Sequence, residues 1–532
     1  MTRLSEPVGS TNAGRTQGEV GVRTGHDLSD LPTSMARKFM FLAPAFQKAL
    51  QVTRRAGTPM ERAQHARGRG LLAQTSLAVR PWPIGTPLDC KGRTLRCPWE
   101  SFVNRNVRGM RWGAPVAAAS AAVVATMVLN PTPGASASAP QSTAKAKAPT
   151  AKNVIFINGD GMGAAAREAA RLHLAGLQGQ LTMDRLPVSG QLTTTPDDPK
   201  AVVTDSAAAA TAWATGEKTY NGAISVGTDG NPLPTLGAQA KAAGKSTGLV
   251  TTAQVTDASP AAFFANTADR GKQDEIARQY LDVSKPDVIL GGGEDWWLPA
   301  GTAGAFPDKP AEDTSEGSRG TKGDLIAKAQ RSGYRYVTSA KDLKKAPEGK
   351  LLGLFSNEEM FQQRPEGQGD VYDPAVDLAT MTSKALKTLD KNKKGFFLMV
   401  EEEGVDEFAH NDNGTRVLQS MQQLEKAVAV ARAYQATHPD TLLVVTGDHE
   451  TGGLAVEEND TADESGSGVS AEDGPFTIHG SDRTFTIDWT TSGHTSVDVP
   501  VTAAGPLASR FTGKHANTYV HDVLSQVLAP RH

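Results

Sequence analysis

The stretch NVIFINGDGMG, at residues 153–163, decides the fold. Its first six residues form a mostly apolar run that predicts a buried β-strand, and Gly159, Asp160 and Gly161 predict a tight turn at the strand's carboxyl end. Asp160 therefore follows a strand directly. Taken alone, this turn is explained as well by ordinary strand-end chemistry as by a functional site, because Asp and Gly are favoured in turns.

The same alternation of apolar runs and helical patterns recurs downstream. Helices are predicted at residues 164–177, 206–215, 273–280, 376–389 and 417–436, and further buried strands at residues 246–252, 287–290, 395–401 and 441–446. This alternation predicts an α/β fold, a three-layer sandwich in which helices flank both faces of a central, mostly parallel sheet. Ligands bind beyond the carboxyl ends of the strands in such sheets. Residues 300–350 and 457–486 are expected to be surface insertions.

Charge and cysteine content restrict the partners and the kind of site. Residues 151–532 hold 35 basic and 51 acidic residues, a net charge of −16, which argues against nucleic acid or an anionic membrane as the main partner. The two cysteines, Cys90 and Cys97, both precede the predicted domain. Any metal ion there must therefore be bound by oxygen and imidazole ligands.

The first 151 residues divide into an extension, a targeting segment and a linker. Arg-rich residues precede an apolar run at 115–129 and the small residues ASASA at 135–139, which predicts a signal peptide over residues 103–139 and hence a secreted protein. Residues 140–151 are a Ser/Thr/Lys/Ala/Pro linker, and residues 152–532 form the predicted catalytic domain. We interpret residues 1–102 as an irregular extension that is not part of the native protein. The alternative is a disordered cytoplasmic extension with an internal membrane anchor.

Three motifs carry polar residues suited to phosphate chemistry. Asp160 is in the first. The second is Thr204-Asp205-Ser206 before an Ala-rich run, where a helix N-terminus offers free N–H groups and a positive dipole end to a phosphate at Ser206, although a plain helix N-cap looks the same. The third, DASPAAFFANTADR at 257–270, ends on Arg270, whose planar fork suits two phosphate oxygens. It reads equally well as an exposed loop and helix.

Three further motifs carry candidate metal ligands. In FFLMVEEEGVDEFAH, Asp406 and His410 have the i, i+4 spacing that places two ligands on one helix face, and three acids follow a buried strand. LLVVTGDHETGG delivers Asp448 and His449 after a strand, and His494 precedes another. The acids of the first motif could instead form a solvated acidic turn, and the second motif could be an ordinary turn. His494 could be a structural histidine.

Together, in order and spacing from residue 153 to about 513, these motifs resemble the alkaline phosphatase family. The resemblance implies hydrolysis of small phosphate monoesters outside the cell, with Ser206 as the nucleophile. It also implies that Arg270 binds phosphate and that Asp257 orders waters on magnesium and holds Arg270. Neither a nucleic-acid partner nor a membrane span after processing is expected, and a homodimer remains open.

The resemblance further implies two Zn²⁺ ions and one Mg²⁺ ion. One zinc takes Asp406, His410 and His494, and the second takes Asp160, Asp448 and His449. Magnesium takes Asp160, Ser259 and Glu401, so that Asp160 bridges two ions. The chemistry of the donors agrees independently, because both zinc sets contain imidazole and the magnesium set is all oxygen.

The sequence departs from the family pattern at two positions. Ser259 stands where Thr is usual and keeps the hydroxyl, whereas Glu407 stands where relatives often carry Lys or His, which puts phosphate affinity and pH optimum in question. Among the ligands, Glu402 and Glu403 compete with Glu401, and His479 competes with His494. The competing functions are a phosphodiesterase or sulfatase of the same superfamily, and a non-catalytic secreted protein that binds metal or phosphate.

Overall fold

Ten strands form one central sheet in the part of the chain that the computed structural model describes, residues 150–306, 317–361, 372–458 and 473–529. Within these ranges the strands are β1 (Asn153–Gly159), β2 (Val188–Thr193), β3 (Ser246–Gln254), β4 (Val288–Gly292), β5 (Arg335–Val337), β6 (Leu351–Leu354), β7 (Phe396–Glu402), β8 (Thr441–Thr446), β9 (Glu450–Thr451), β10 (Ala455–Glu458), β11 (Asp473–Thr477), β12 (Thr484–Asp488), β13 (His494–Thr495), β14 (Val499–Ala504) and β15 (Gly513–Ala516). The central sheet has the order β15-β2-β14-β8-β1-β7-β3-β4-β6-β5.

Helices cover both faces of this sheet. Within the described ranges the α-helices are α1 (Ala164–Ala175), α2 (Ser206–Thr215), α3 (Leu236–Ala242), α4 (Ala258–Phe264), α5 (Gln273–Gln279), α6 (Leu325–Arg331), α7 (Ala340–Lys345), α8 (Leu378–Leu389), α9 (Gly404–His410), α10 (Gly414–Thr437) and α11 (Tyr519–Leu528). None of them has the length and apolar character needed to cross a bilayer.

Strand β1 lies at the centre and separates two hydrophobic cores. Ile155 and Ile157 pack into one core, and Val154 and Phe156 pack into the other. Alternate side chains of a strand point to opposite faces of the sheet, so a strand covered on both faces must be apolar almost throughout. The predicted three-layer α/β sandwich is confirmed.

The pairing of β1 makes the central part of the sheet parallel. β1 pairs in parallel with β7 and β8, and β7 pairs in parallel with β3. The carboxyl ends of β8, β1, β7 and β3 therefore meet side by side at one edge. β14 runs antiparallel to β8 and β2, which makes the sheet mostly rather than wholly parallel.

The prediction of plain surface insertions was wrong for one region and incomplete for another. Residues 300–350 contain α6, α7 and β5, which is the last strand of the central sheet, and its short length left no clear period in the sequence. In 457–486, β10, β11 and β12 form a separate three-stranded sheet. The extension, the signal peptide and all but the last two residues of the linker lie outside the described residues.

Removing the ring of Phe156 should destabilise the domain. Phe156 is fully buried and lies 5.0 Å from the ring of Trp213 on α2 and 5.5 Å from that of Phe263 on α4, so it joins β1 to two helices. We expect Phe156→Ala to lower the free energy of unfolding by about 3–5 kcal/mol in a guanidinium titration. The control Val283→Ala, at a position 65% exposed, should change it by less than about 0.5 kcal/mol. Equal effects at the two positions would contradict this account of the core.

Candidate active site

Polar side chains collect at the shared carboxyl edge of the four central strands. Asp160 follows β1, Glu401 is the penultimate residue of β7, and Asp448 and His449 follow β8. Ser259 lies in the first turn of α4, just beyond β3. None of the five is more than 2% exposed. Parallel pairing thus brings together residues from distant parts of the chain in a space from which water is largely excluded.

The hydroxyl of Ser206 points into this cluster. Ser206 is the first residue of α2, and Asp205 caps the helix by accepting the N–H of Ala208 at 2.9 Å. Ser206 Oγ lies 3.2 Å from His449 Nε2 and 3.5 Å from Asp160 Oδ1. The nucleophile predicted from the sequence therefore lies beside the predicted metal ligands.

Two imidazoles and a carboxylate meet beside α9. The i, i+4 spacing places Asp406 and His410 on one face of that helix, and His410 Nε2 is 3.2 Å from Asp406 Oδ2. His494 begins β13, and its Nε2 is 3.5 Å from Asp406 Oδ1. The two Nε2 atoms are only 3.1 Å apart. These three residues form a group able to hold a metal ion.

The hydrogen bonds of the two rings determine their tautomers. His410 Nδ1 is 2.7 Å from the carbonyl oxygen of Ser492, and His494 Nδ1 is 2.9 Å from that of Thr204. A carbonyl oxygen only accepts, so each Nδ1 carries the hydrogen and each Nε2 of a neutral ring presents a lone pair. Two lone pairs 3.1 Å apart repel, so either a proton or a metal cation must lie at these nitrogens. Without a metal ion the proton is favoured, because the hydrogen bond that His410 Nε2–H donates to Asp406 raises the pKa of His410 to about 9.

A second group of ligands surrounds His449. Asp160, Asp406 and His449 offer ligand atoms within 4.8 Å of one another. Asp448 Oδ2 is 3.1 Å from His449 Nε2 and has no hydrogen-bond donor, although it is buried. The hydroxyl of Thr451 donates to Asp406 and lies 3.3 Å from His449 Nδ1, which leaves His449 Nε2 to face the carboxylates. A buried acceptor without a donor fits a metal ligand.

Gly161 allows these two groups to lie this close. Its φ of 69° is in the left-handed region, and its N–H donates to Asp448 Oδ1 at 3.0 Å. A Cβ at this position would approach the Cα of Asp406 to 2.7 Å. Gly161 therefore orients Asp448 and makes room for Asp406, two of the predicted ligands.

A third group of candidate metal ligands offers oxygen atoms alone. The hydroxyl of Ser259 donates to Asp160 Oδ2 at 3.3 Å, and that of Thr251 donates to Glu401 Oε2 at 2.6 Å. The amide of Asn158 donates to both Ser259 Oγ and Glu401 Oε1, each at 3.3 Å. Carboxylates and a hydroxyl are the oxygen donors that Mg²⁺ accepts.

Arg270 lies beside the nucleophile's helix and is held by two carboxylates. Its Nη2 donates to both oxygens of Asp257 at 3.1 Å, and its Nη1 donates to Asp205 at 3.3 Å. Burial alone would lower the pKa of Arg270, but Asp257 and Asp205 together raise it above the usual value. The guanidinium is therefore permanently charged and fixed in orientation while part of its donor set stays available.

The site carries more negative charge than its own side chains neutralise. Burial, and then the charges of Asp448, Asp406 and Glu401, raise the pKa of Asp160 well above its usual value. Burial likewise raises the pKa of Glu401 to about 7. Carboxylates crowded in a buried space are stable only when protonated or paired with cations. The arrangement therefore fits bound metal cations.

The structure discriminates between the competing ligands. Glu402 Oε1 accepts from Tyr372 at 2.5 Å and from Thr252 at 3.1 Å, while its buried Oε2 has no hydrogen-bond partner among the described residues. Glu401 differs in sharing the amide of Asn158 with Ser259. Glu403 lies next to α9, and His479 belongs to neither metal-capable group found among the described residues. Geometry therefore favours Glu401 and His494.

Glu407 adds a further acid beside Asp406, and this acid carries its negative charge only above about pH 8. It follows Asp406 on α9, and burial, followed by the charge of Asp406 and that of Glu359, raises its pKa to about 8. Its surroundings also include Asp257. The departure noted in the sequence thus adds an acid close to the carboxylate that holds Arg270.

Four contributing residues were missed in the sequence. They are neutral or capping side chains that touch the predicted ligands: Asn158, Asp205, Thr251 and Thr451. Asn158 gave a detectable signal, since an amide inside an otherwise apolar central strand needs buried partners. The others gave none, because Thr is common in strands and Asp is common at N-caps.

Comparisons with known proteins agree with this geometry. The family model described as alkaline phosphatase matches residues 151–480. Alkaline phosphatase 3 of Bacillus subtilis is 32% identical over 76% of this chain and 94% of its own length, and streptomycin-6-phosphate phosphatase of Streptomyces griseus is 34% identical over 76% and 96%. The crystal structure of a cold-active alkaline phosphatase from Shewanella sp. aligns with a TM-score of 0.57 and 31% identity, covering 70% of this chain and 99% of that one.

The family model covers more than half of the chain, and the relatives are matched over nearly their whole length at identities above 30%. The resemblance drawn from the motifs is thereby confirmed. This chain belongs to the alkaline phosphatase family and is a phosphomonoester hydrolase.

Proposed function

We propose that the chain hydrolyses phosphate monoesters outside the cell through a phosphoserine formed on Ser206, with two Zn²⁺ ions and one Mg²⁺ ion bound in its site. The observation that carries the proposal is the pair of facing imidazoles. The Nε2 atoms of His410 and His494 lie 3.1 Å apart, and both are close to the carboxylate of Asp406. Two nitrogens and one oxygen from three side chains are a typical donor set for a catalytic zinc ion, which keeps a position open for substrate.

The three ligand groups divide between the ions by donor type. Asp406, His410 and His494 would hold the first zinc. Asp160, Asp448 and His449 would hold the second, and the bare Oδ2 of Asp448 supports its assignment. Magnesium would be held by the oxygen donors of Asp160, Ser259 and Glu401. When bound, these ions lower the pKa of a coordinated hydroxyl and neutralise negative charge that develops during phosphoryl transfer.

The chain's own groups then carry the reaction. Ser206 loses its proton, its Oγ attacks phosphorus, the ester P–O bond breaks, and the alcohol leaves with a proton. Water then attacks the phosphoserine, the bond between phosphorus and Oγ breaks, inorganic phosphate leaves, and Ser206 regains its proton. The position of Ser206 at the start of α2 favours this chemistry because the N-terminal N–H groups and the helix dipole attract the phosphate.

Arg270 would orient the phosphate. Its guanidinium donates hydrogen bonds to Asp257 and Asp205, which fix the plane of the group. The N–H groups that these carboxylates do not use remain for phosphate oxygens. Asp257 would also order waters on magnesium. The fixed orientation lowers the entropy lost on binding substrate.

Secretion rests on the signal-peptide pattern at residues 103–139 and dimer formation on the family resemblance alone. Both stay predictions. A catalytic domain with a net charge of −16 and no cysteine after residue 97 folds without disulfides and suits an extracellular phosphatase that meets small, soluble esters.

Ser206→Ala should abolish turnover while leaving the metal ions bound. Without Oγ no phosphoserine can form, so hydrolysis of p-nitrophenyl phosphate should fall by a factor of at least about 10³. Acid quenching during turnover of ³²P-labelled ester, followed by peptide mapping, should place the label on Ser206 in the wild type and nowhere in the variant. The control Ser525→Ala removes a hydroxyl on α11 that donates to the Asp522 carbonyl oxygen at 3.5 Å, and it should keep full activity. Retained turnover in Ser206→Ala would overturn the mechanism and favour a different nucleophile.

Removing one imidazole of the first zinc group should remove one zinc ion. Elemental analysis of the purified mature protein should give about two zinc and one magnesium per chain, and His494→Ala should lose about one zinc and nearly all activity. A chelator should inactivate the wild type, and added Zn²⁺ and Mg²⁺ should restore it. His173→Ala, whose ring contacts only the Thr477 carbonyl oxygen among the described hydrogen bonds, is the matched control. An unchanged zinc content in His494→Ala would refute the assignment.

Glu407→Lys should strengthen the binding of inorganic phosphate. Above its pKa of about 8, Glu407 is ionised and repels the phosphate dianion. Its replacement by a positive charge adds attraction, so the inhibition constant for phosphate, measured above that pH, should fall on the order of tenfold. Glu407→Gln, which removes the charge and keeps the size, should lie between wild type and Glu407→Lys. An inhibition constant that is unchanged or higher in both variants would show that Glu407 does not act on phosphate.

A further inference from the structure

We propose that Asn158 is a positioning residue for the magnesium site, which sets the affinity of the chain for Mg²⁺ by fixing Ser259 and Glu401 together. The inference rests on the proposed function, because that proposal supplies the magnesium site. It concerns a residue that the motifs did not single out. Its basis is the geometry of one amide inside the sheet.

Asn158 lies in a polar row that crosses four strands. It pairs with Thr446 on β8 and with Glu401 on β7, and Glu401 pairs with Thr251 on β3. Paired residues of neighbouring strands point to the same face of a sheet, so these four side chains form one lateral row just below the carboxyl edge. The preceding residues on that face, such as Phe156, are apolar. The amide therefore replaces an apolar side chain at the point where the site begins.

Two of the three proposed magnesium ligands accept hydrogen bonds from this amide. Asn158 Nδ2 donates to Ser259 Oγ and to Glu401 Oε1 at 3.3 Å each. An ionised carboxylate only accepts, so the nitrogen rather than the oxygen of the amide must face Glu401. Both N–H groups of the amide are then used. One rigid planar group thus fixes the rotamers of Ser259 on α4 and Glu401 on β7 together.

The remaining hydrogen bonds orient the free lone pairs of those ligands. Ser259 donates its own hydrogen to Asp160 Oδ2, and Glu401 Oε2 accepts from Thr251. The amide of Asn158 takes one of the two lone pairs of Ser259 Oγ, and the hydroxyl hydrogen goes to Asp160, so the second lone pair remains for a cation. Asp160 is also 3.5 Å from Ser206 Oγ, so the chain of contacts runs from Asn158 to the nucleophile.

The carbonyl oxygen of the Asn158 side chain lacks a hydrogen-bond donor among the described residues. Asn158 is fully buried, and its Oδ1 has no hydrogen-bond partner. A buried acceptor without a donor is costly and rare in folded proteins. Mg²⁺ keeps several waters when it binds, and such waters are donors of the kind that Oδ1 lacks.

The test compares Asn158→Leu with Asn153→Leu. Both replace a buried amide of β1 by an apolar side chain of similar size. Among the described residues, however, the Asn153 side chain donates to Thr441 Oγ1, at the opposite end of the strand from the site. Each protein is stripped with a chelator, reloaded with zinc and titrated with Mg²⁺. Bound magnesium is measured by equilibrium dialysis with elemental analysis, and the rise in Tm on adding Mg²⁺ is measured in parallel.

We expect Asn158→Leu to weaken Mg²⁺ binding by about 10–100-fold, and the Mg²⁺-induced rise in Tm should shift to correspondingly higher concentration. Asn153→Leu should lose stability but keep the wild-type affinity. Excess Mg²⁺ should restore a large part of kcat in Asn158→Leu, which a merely destabilised protein would not show. If Asn158→Leu does not fold, Asn158→Ala serves in its place.

Two negative outcomes are distinguishable. If the wild type hydrolyses monoesters and binds Mg²⁺, but Asn158→Leu binds Mg²⁺ within twofold of it, the positioning role of Asn158 is wrong and the proposed function stands. If the zinc-loaded wild type itself binds no Mg²⁺, the three-ion assignment fails and the inference fails with it.

Discussion

The site depends on carboxylates that the parallel sheet forces into one buried edge. β8, β1 and β7 lie side by side, and they deliver Asp448, Asp160 and Glu401 to positions at most 2% exposed. Their mutual repulsion and their burial raise the pKa of Asp160 and of Glu401, which means that the ionised state is destabilised as the side chains stand. Metal cations reverse this balance. A fold that is otherwise an ordinary layered sandwich thus acquires a strong preference for divalent ions at one place.

Neutral side chains turn this attraction into a specific geometry. The Nδ1 atoms of His410 and His494 are anchored on backbone carbonyls, so their Nε2 atoms must face each other. Thr451 and Asn158 orient carboxylates in the same way. Thr451 donates a hydrogen bond to Asp406 and Asn158 donates one to Glu401, and each carboxylate keeps other lone pairs free. Charge alone would gather cations loosely, whereas these hydrogen bonds restrict each ligand to one orientation before an ion arrives.

Much of the fold could be predicted from the sequence, for a physical reason. Strands β1, β7 and β8 are covered on both faces and are therefore apolar almost throughout, a pattern visible without any structure. Strand β5 has three residues and is partly exposed at the edge, so it carries no such pattern. For the site, the ionisable ligands could be located because they recur at strand ends. Asn158 could be recognised only as a buried amide that needs partners, and Thr251 not at all, since their role comes from pairing across strands and not from neighbours in the chain.

The position of Glu407 has a consequence for how the enzyme balances binding and release. The ions and Arg270 must attract a phosphate dianion strongly enough to organise the transition state, and the product is itself such a dianion. An acid on α9, whose surroundings include the Asp257 that holds Arg270, would weaken attraction for phosphate in the ground state once it ionises above about pH 8. Catalysis gains only from interactions stronger in the transition state than in the bound substrate or product. An added negative charge at the rim therefore favours release of phosphate over its retention, at some cost in affinity for substrate.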